Sequence, residues 1–213
     1  MMNVVIRAAR AEDLDAIVSI HMRAFRGFFL TTLGRRFLLE LYRGFLKSLD
    51  GHLIVAETDG SIAGFTAGTF APDRFFRTLL VTRWFAFGWA AVGSVIRHPH
   101  SVLPRLLAAL RYSGDAPDRL MAAGLLSAIA VEPHLSGRGV GGMLISAYCE
   151  EASRHGLRFV YLTTDRDDND ASNLFYQRHG FVAESQIRRR NGRIMIRYVR
   201  ALERPVANNV VKS

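Results

Sequence analysis

The sequence predicts an α+β (α/β) fold, with a central sheet of about seven strands flanked by helices and a helical insertion between the third and fourth strands. Apolar patterns of strand type and of helix type intermix along one chain. Two tight-turn signals, Asp59-Gly60 and Asn191-Gly192, join strand patterns directly. The stretch 75–112 parts two strand patterns by more than an ordinary loop.

Val4–Ala8 reads as a short strand. Ala11–Arg23 follows with helical spacing, placing Leu14, Ile17, Val18 and His21 on one face. Glu12 and Asp13 suit the positive end of its dipole. A second amphipathic helix is predicted over Thr32–Leu49, with Phe37, Leu38, Leu41, Phe45 and Leu49 as its stripe. His52–Glu57 and Ile62–Phe70 are strands around the Asp59-Gly60 turn. Leu120–Val131 is nearly all apolar and reads as a buried central strand. Val140–His155 is a helix, Phe159–Thr164 a buried strand, and Ala171–His179 a short helix stopped by Gly180. Val182–Ile187 and Ile194–Val199 form the closing hairpin. Residues 1–203 are expected as one domain that includes 75–112, with 204–213 a patternless, flexible tail.

The 213 residues are 49% hydrophobic and 22% charged, the composition of a globular protein. A net charge of +9 favours anionic partners: a phosphorylated cofactor, an anionic membrane surface or nucleic acid. No nucleic-acid-binding module is recognisable, so nucleic acid is set aside. Cys149 is the sole cysteine, which forbids an intramolecular disulfide, points to a reducing compartment and reads as a small packed hydrophobe. Met1–Arg10 holds no apolar run of signal-peptide length. A cytoplasmic location is expected, peripheral at the inner face of the membrane if the insertion binds lipid.

The chemistry centres on Val131-Glu132-Pro133-His134-Leu135-Ser136-Gly137-Arg138-Gly139-Val140-Gly141-Gly142. A buried strand runs through a glycine-rich loop into a helix. Such a loop suits a pyrophosphate, because the first turn of a helix offers free N–H groups at a positive dipole end. Glycines let those groups approach without a Cβ clash, and Arg138 can add a charge-assisted contact. A Walker loop is excluded by the absence of Gly-Lys-Ser/Thr. A dinucleotide fingerprint is not excluded by spacing, since Asp165 and Asp167 lie near the right distance. It is opposed by the helices, hairpin and central strand that precede the loop. A turn that merely packs helix on strand is the bland alternative.

These residues resemble the GNAT acyltransferase superfamily. Its V-x-P-x-x-[Q/R]-G-x-G-x-G motif is met by Val131, Pro133, Gly137, Gly139 and Gly141. Its later N-x-x-A-x-x-[L/F]-Y-x-x-x-G-F signature is met by Asn169, Phe175, Tyr176, Gly180 and Phe181, with Ser172 in place of alanine. The resemblance implies a mixed, mostly antiparallel sheet. It also implies acetyl-CoA or another acyl-CoA as co-substrate, no metal, and direct attack of a primary amine on the thioester. Cofactor contacts would come from Ile129, Ala130 and Val131 on the fourth strand, from Ser136, Gly137, Arg138, Gly139, Val140, Gly141 and Gly142, and from Asn169 and Asn173. Tyr176 would protonate the leaving thiolate, against a bland reading as a core aromatic. Helix capping is the bland reading of the two asparagines. Ser136 stands where the family has Gln or Arg, so a cationic contact is lost there. A catalytically weak acyl-CoA-binding or sensing module is therefore one alternative, and a peripheral membrane protein acting through 75–112 is the other.

No carboxylate lies within Leu120–Val131, so a general base must come from Glu132, His21, Glu57, Asp165 or a water chain to the backbone. The acceptor side is expected at Phe25–Thr32, where aromatic residues beside glycine suit an amino sugar or another small molecule. This loop and Leu33–Phe37 resemble relatives linked to surface-polysaccharide sugars. The insertion Phe75–Tyr112 holds Arg77, Arg83, Arg97, Arg105 and Arg111 without one acid, interleaved with Trp84, Phe85, Phe87 and Trp89. Two helices divided near His98-Pro99-His100 are predicted. They are expected to border the acceptor site and touch anionic membrane. Packing on the sheet and a homodimer contact are the competing expectations.

Overall fold

The computed structural model describes residues 3–97, 122–189 and 192–203. Strands β1 (Val4–Ala8), β2 (Gly51–Thr58), β3 (Ser61–Thr69), β4 (Ala123–Val131), β5 (Phe159–Asp165), β6 (Val182–Arg188) and β7 (Ile194–Ala201) form one seven-stranded sheet. Its order is β1-β2-β3-β4-β5-β7-β6, and every neighbouring pair is antiparallel except β4 and β5. The helices are α1 (Leu14–Ala24), α2 (Phe29–Thr32), α3 (Arg35–Lys47), α4 (Pro72–Arg97), α5 (Val140–Arg154) and α6 (Asp170–Arg178). The β2–β3 turn has positive φ at both Asp59 and Gly60, the geometry that a two-residue hairpin needs.

One face of the sheet carries Val55, Phe65 and Ala67, buried against Ile17, Val18, Leu38, Tyr42 and Phe45 of α1 and α3. A second cluster joins Ile145, Tyr148 and Cys149 of α5 to Leu126, Val160, Leu162 and Tyr198. His21 shares the buried face of α1, as its spacing predicts.

Three boundaries differ from the sequence reading. The second helix begins at Arg35, because Gly34 takes φ 87° and separates it from α2. It ends at Lys47, and Leu49, expected in its stripe, is 100% exposed. The insertion breaks earlier than expected: α4 leaves helical geometry at Arg83 (φ −124°, ψ 15°). The predicted break near His98-Pro99-His100, and with it Leu120, Asn191 and the tail, lies outside the described residues.

α4 lies antiparallel on α3. Phe75 meets Phe45 (ring centroids 4.6 Å), Leu79 fills the space beside Gly44, Arg83 pairs with Glu40 (3.3 Å), and Phe87 meets Phe37 (5.0 Å). Arg83, one of the five arginines of the insertion, is therefore partnered within the fold.

Candidate active site

β4 and β5 pair over only three residues, Ala123 with Phe159, Gly124 with Val160 and Leu125 with Tyr161. Beyond them the strands part, while β4 stays on β3 up to Val131 and β5 stays on β7 up to Asp165. The parting has a local cause. β3 and β4 slip register between Ala67 and Gly68, leaving Ser127 without a Cα partner, and such a bulge bends and twists its strand. Tyr148 of α5 donates its hydroxyl to the Leu125 carbonyl (2.7 Å) beside this bulge. Gly68 is required here, since a Cβ would overlap that phenol.

The N–H of Glu132 points to Ala63 on β3 (2.8 Å). Alternation along an antiparallel strand then turns the backbone polar groups of Ala130 toward β3 and those of Ile129 and Val131 toward the gap. Of the three residues expected to pair there, Ile129 and Val131 present their edges to it.

The loop after β4 wraps the start of α5. Gly137 and Gly139 hold positive φ (76° and 84°), and a Cβ on either would meet nothing within 4 Å. These two glycines serve backbone conformation. Gly141 and Gly142 serve packing, because their Cβ atoms would fall 3.2 Å from the Phe175 ring and 2.6 Å from His179 Nε2. The first main-chain bond of α5 runs from Met143 N–H to Gly139 O (3.1 Å), so the amides of Val140, Gly141 and Gly142 precede the helical ladder. Ser136 and Arg138 are exposed beside them, and Arg138 makes no ion pair among the described residues. This is a helix end able to hold an anion.

α6 closes the gap from the β5 side. The Tyr176 ring packs with Phe175, Phe181 and Tyr198 in the cluster that includes Leu126 and Ile129. Burial pushes its phenol up to about 12, while the residue keeps partial solvent exposure. Asn169 does not cap α6 with its side chain. Its amide donates to Thr164 Oγ1 (2.7 Å) and to the Asp165 carbonyl (3.1 Å). Asn173 donates to the carbonyls of Asp165 and Arg166, and its Oδ1 is buried without a partner among the described residues. That orphaned acceptor, the free amides at the head of α5 and the open edge of β4 fit a long, amide-bearing phosphorylated ligand. No group of His, Cys, Asp or Glu suited to a metal ion occurs among the described residues.

The acetyltransferase (GNAT) family model matches residues 116–181. No curated protein sequence matches the chain. Among solved structures, a GNAT-family protein from Desulfovibrio desulfuricans is similar over 94% of this chain and 100% of its own, at 17% identity and a TM-score of 0.63. An N-acetyltransferase from Staphylococcus aureus covers 94% and 99% at 17% identity and a TM-score of 0.61. A GNAT acetyltransferase from Streptococcus pneumoniae covers 94% and 100% at 18% identity and a TM-score of 0.57. The chain has the GNAT fold.

The ends of β4 and β5 meet the loop after α1, where the acceptor side is expected from the sequence. Two ion pairs mark it, neither evident in the sequence. Arg23 of α1 binds Glu132, with Nε 3.2 Å from Oε2. Arg193 binds Asp165 and sits over the half-exposed ring of Phe28 (5.9 Å). Two of the three carboxylates considered as bases, Glu132 and Asp165, are thus already held by arginines at this end of the sheet. Glu57 lies at the far edge of the sheet, bound to Arg7 (2.8 Å), which also binds Asp13. His21 is buried, shares a 2.6 Å hydrogen bond with the Tyr42 hydroxyl, and is pushed down to about 4 by burial. Cys149 is buried and pushed up to about 11, which leaves it a packed thiol.

Proposed function

We propose that this protein is an N-acyltransferase that moves an acyl group, acetyl in the simplest case, from acyl-CoA to the primary amine of a small molecule. The observation that carries the proposal is the parting of β4 and β5 beside the anion-ready head of α5. Acyl-CoA supplies the thioester and the phosphates. The amides of Val140, Gly141 and Gly142, with Ser136 and Arg138 at the rim, hold the phosphates. The backbone of Ile129 and Val131 pairs with the extended arm, and Asn173 Oδ1 accepts a hydrogen bond. Tyr176 remains protonated at neutral pH and donates a hydrogen bond toward the leaving sulfur.

The engaged state of Glu132 and Asp165 and the burial of His21 favour loss of the ammonium proton to bulk solvent through waters held by backbone carbonyls. The half-exposed Phe28 ring beside the Arg193 guanidinium suits a sugar-like acceptor, and an amino sugar is the acceptor class proposed. Release of free CoA thiol is the test, with amino-sugar nucleotides, polyamines, amino acids and peptide N-termini as acceptors. Thiol release with one class carries the proposal. Tight acetyl-CoA binding without release for any amine would replace it with a sensing module.

A further inference from the structure

α4 has two apolar faces. Phe75, Leu79 and Phe87 are buried in the cluster shared with α3. Phe85 and Trp89 lie one helical turn apart beyond the break at Arg83, Val81 lies just before it, and Val81, Phe85 and Trp89 are 69%, 72% and 80% exposed. Single exposed apolar residues are ordinary, but a stripe with a tryptophan and a phenylalanine along one helix marks a contact surface.

The charge around the stripe selects its partner. From Phe75 to the end of α4 at Arg97 the helix sequence holds Arg77, Arg83 and Arg97 and no Asp or Glu. Arg83 is engaged by Glu40, whereas Arg77 is exposed and makes no ion pair among the described residues. Arg36, exposed on α3 next to Phe37, adds a cation near the Trp89 end, since Phe37 packs on Phe87. The acid nearest in sequence, Asp73, lies in the first turn of α4, away from that end. No helix among the described residues is long and apolar enough to cross a membrane.

We propose that α4 docks the protein on an anionic membrane surface. Val81, Phe85 and Trp89 enter the headgroup layer, and Arg77 and its neighbours meet the lipid phosphates. A helix with this division of residues lies in the interface plane rather than across it. A second copy of the chain is the weaker occupant, because three side chains fall short of the roughly 800 Å² per partner that a stable dimer buries.

The test is co-sedimentation of the full chain with vesicles of phosphatidylcholine alone and with about one third phosphatidylglycerol, across ionic strength. Wild type is expected to pellet with the anionic vesicles at low salt and to be released as salt rises. Arg77→Gln should weaken partition about fivefold. The double variant Phe85→Ser, Trp89→Ser should weaken it by more than about tenfold while acetyl-CoA binding, as a check on folding, is unchanged. Three outcomes would overturn the proposal: wild type left in the supernatant at low salt, equal binding to neutral and anionic vesicles, or undiminished binding by the double variant. A doubled mass in light scattering, lost in the double variant and unaccompanied by vesicle binding, would assign the stripe to a second copy instead.

Discussion

Gly142 and His179 leave no room between them for a methyl group: a Cβ on Gly142 would stand 2.6 Å from His179 Nε2. The imidazole is not free to swing away, because its Nδ1 is bonded to the Phe175 carbonyl (2.8 Å). Gly142→Ala is therefore expected to destabilise the fold by about 1–3 kcal/mol, seen as a lower urea midpoint. The double variant Gly142→Ala, His179→Ala should be less destabilised than the sum of its parts. A strictly additive loss would show that the two residues do not press on each other.

Gly139 is the converse case. It needs φ 84° but has open space around it. Gly139→Ala should cost only about 1–2 kcal/mol of backbone strain. Gly139→Asp adds a negative charge at the head of α5 and should abolish acetyl-CoA binding in a protein that still folds. Calorimetry returning the wild-type affinity for that variant would remove the loop from cofactor binding.

Tyr176→Phe should lower kcat by roughly 100-fold with little change in acetyl-CoA affinity. The phenol, pushed up to about 12, keeps its proton throughout the neutral range. Loss of rate on removing the hydroxyl would then reflect a lost donor, not altered charge. A near-normal kcat would return Tyr176 to the core.

Glu132→Gln and Arg23→Gln should act alike, since each breaks the bridge that ties α1 to the end of β4. Both are expected to raise the acceptor KM several-fold with kcat within about threefold of wild type. A kcat loss above about 100-fold in Glu132→Gln alone would make Glu132 the general base.

Acid should destabilise the protein through buried histidine. His21 titrates near 6.5 when unfolded and is pushed down to about 4 by burial in the fold, and His52 is pushed down to about 4 by burial and by His155. Between these values the unfolded chain binds more protons. The stability is present above about 6.5 and is lost as pH falls toward about 4, by at most on the order of 3 kcal/mol for the buried His21 and by less for the partly exposed His52. The urea midpoint of His21→Phe should fall less between neutral pH and about pH 5 than that of wild type. Equal slopes would show that His21 is not responsible.

The strands and most helices were legible because apolar period and turn chemistry agree locally, as at Asp59-Gly60. Leu49 misled because apolar spacing continues past the point where α3 stops. Gly34 set the start of α3 through a positive φ that no hydrophobic pattern registers. The glycine-rich loop stands out in the sequence, yet nothing local separates Gly139, a conformational glycine, from Gly142, a packing one. That distinction needs Phe175 and His179, which lie in another helix. Glu132 and Asp165 looked like candidate bases because Arg23 and Arg193, which engage them, are distant in sequence. The slip at Ser127 was invisible for the same reason, since a bulge belongs to two strands at once.

The short seam between β4 and β5 also divides the sheet mechanically. Three residue pairs stitch a four-strand half, β1–β4, to a three-strand half, β5–β7. The halves can open about that stitch at less cost than either can unravel internally, so the hydrogen-bonded amides of the seam should exchange faster than those of the longer β2–β3 and β5–β7 ladders. Whatever lies across the parted ends works as a splint. It ties the two halves together and adds to stability with the logarithm of its concentration, so thermal denaturation reports occupancy of the cleft without any turnover.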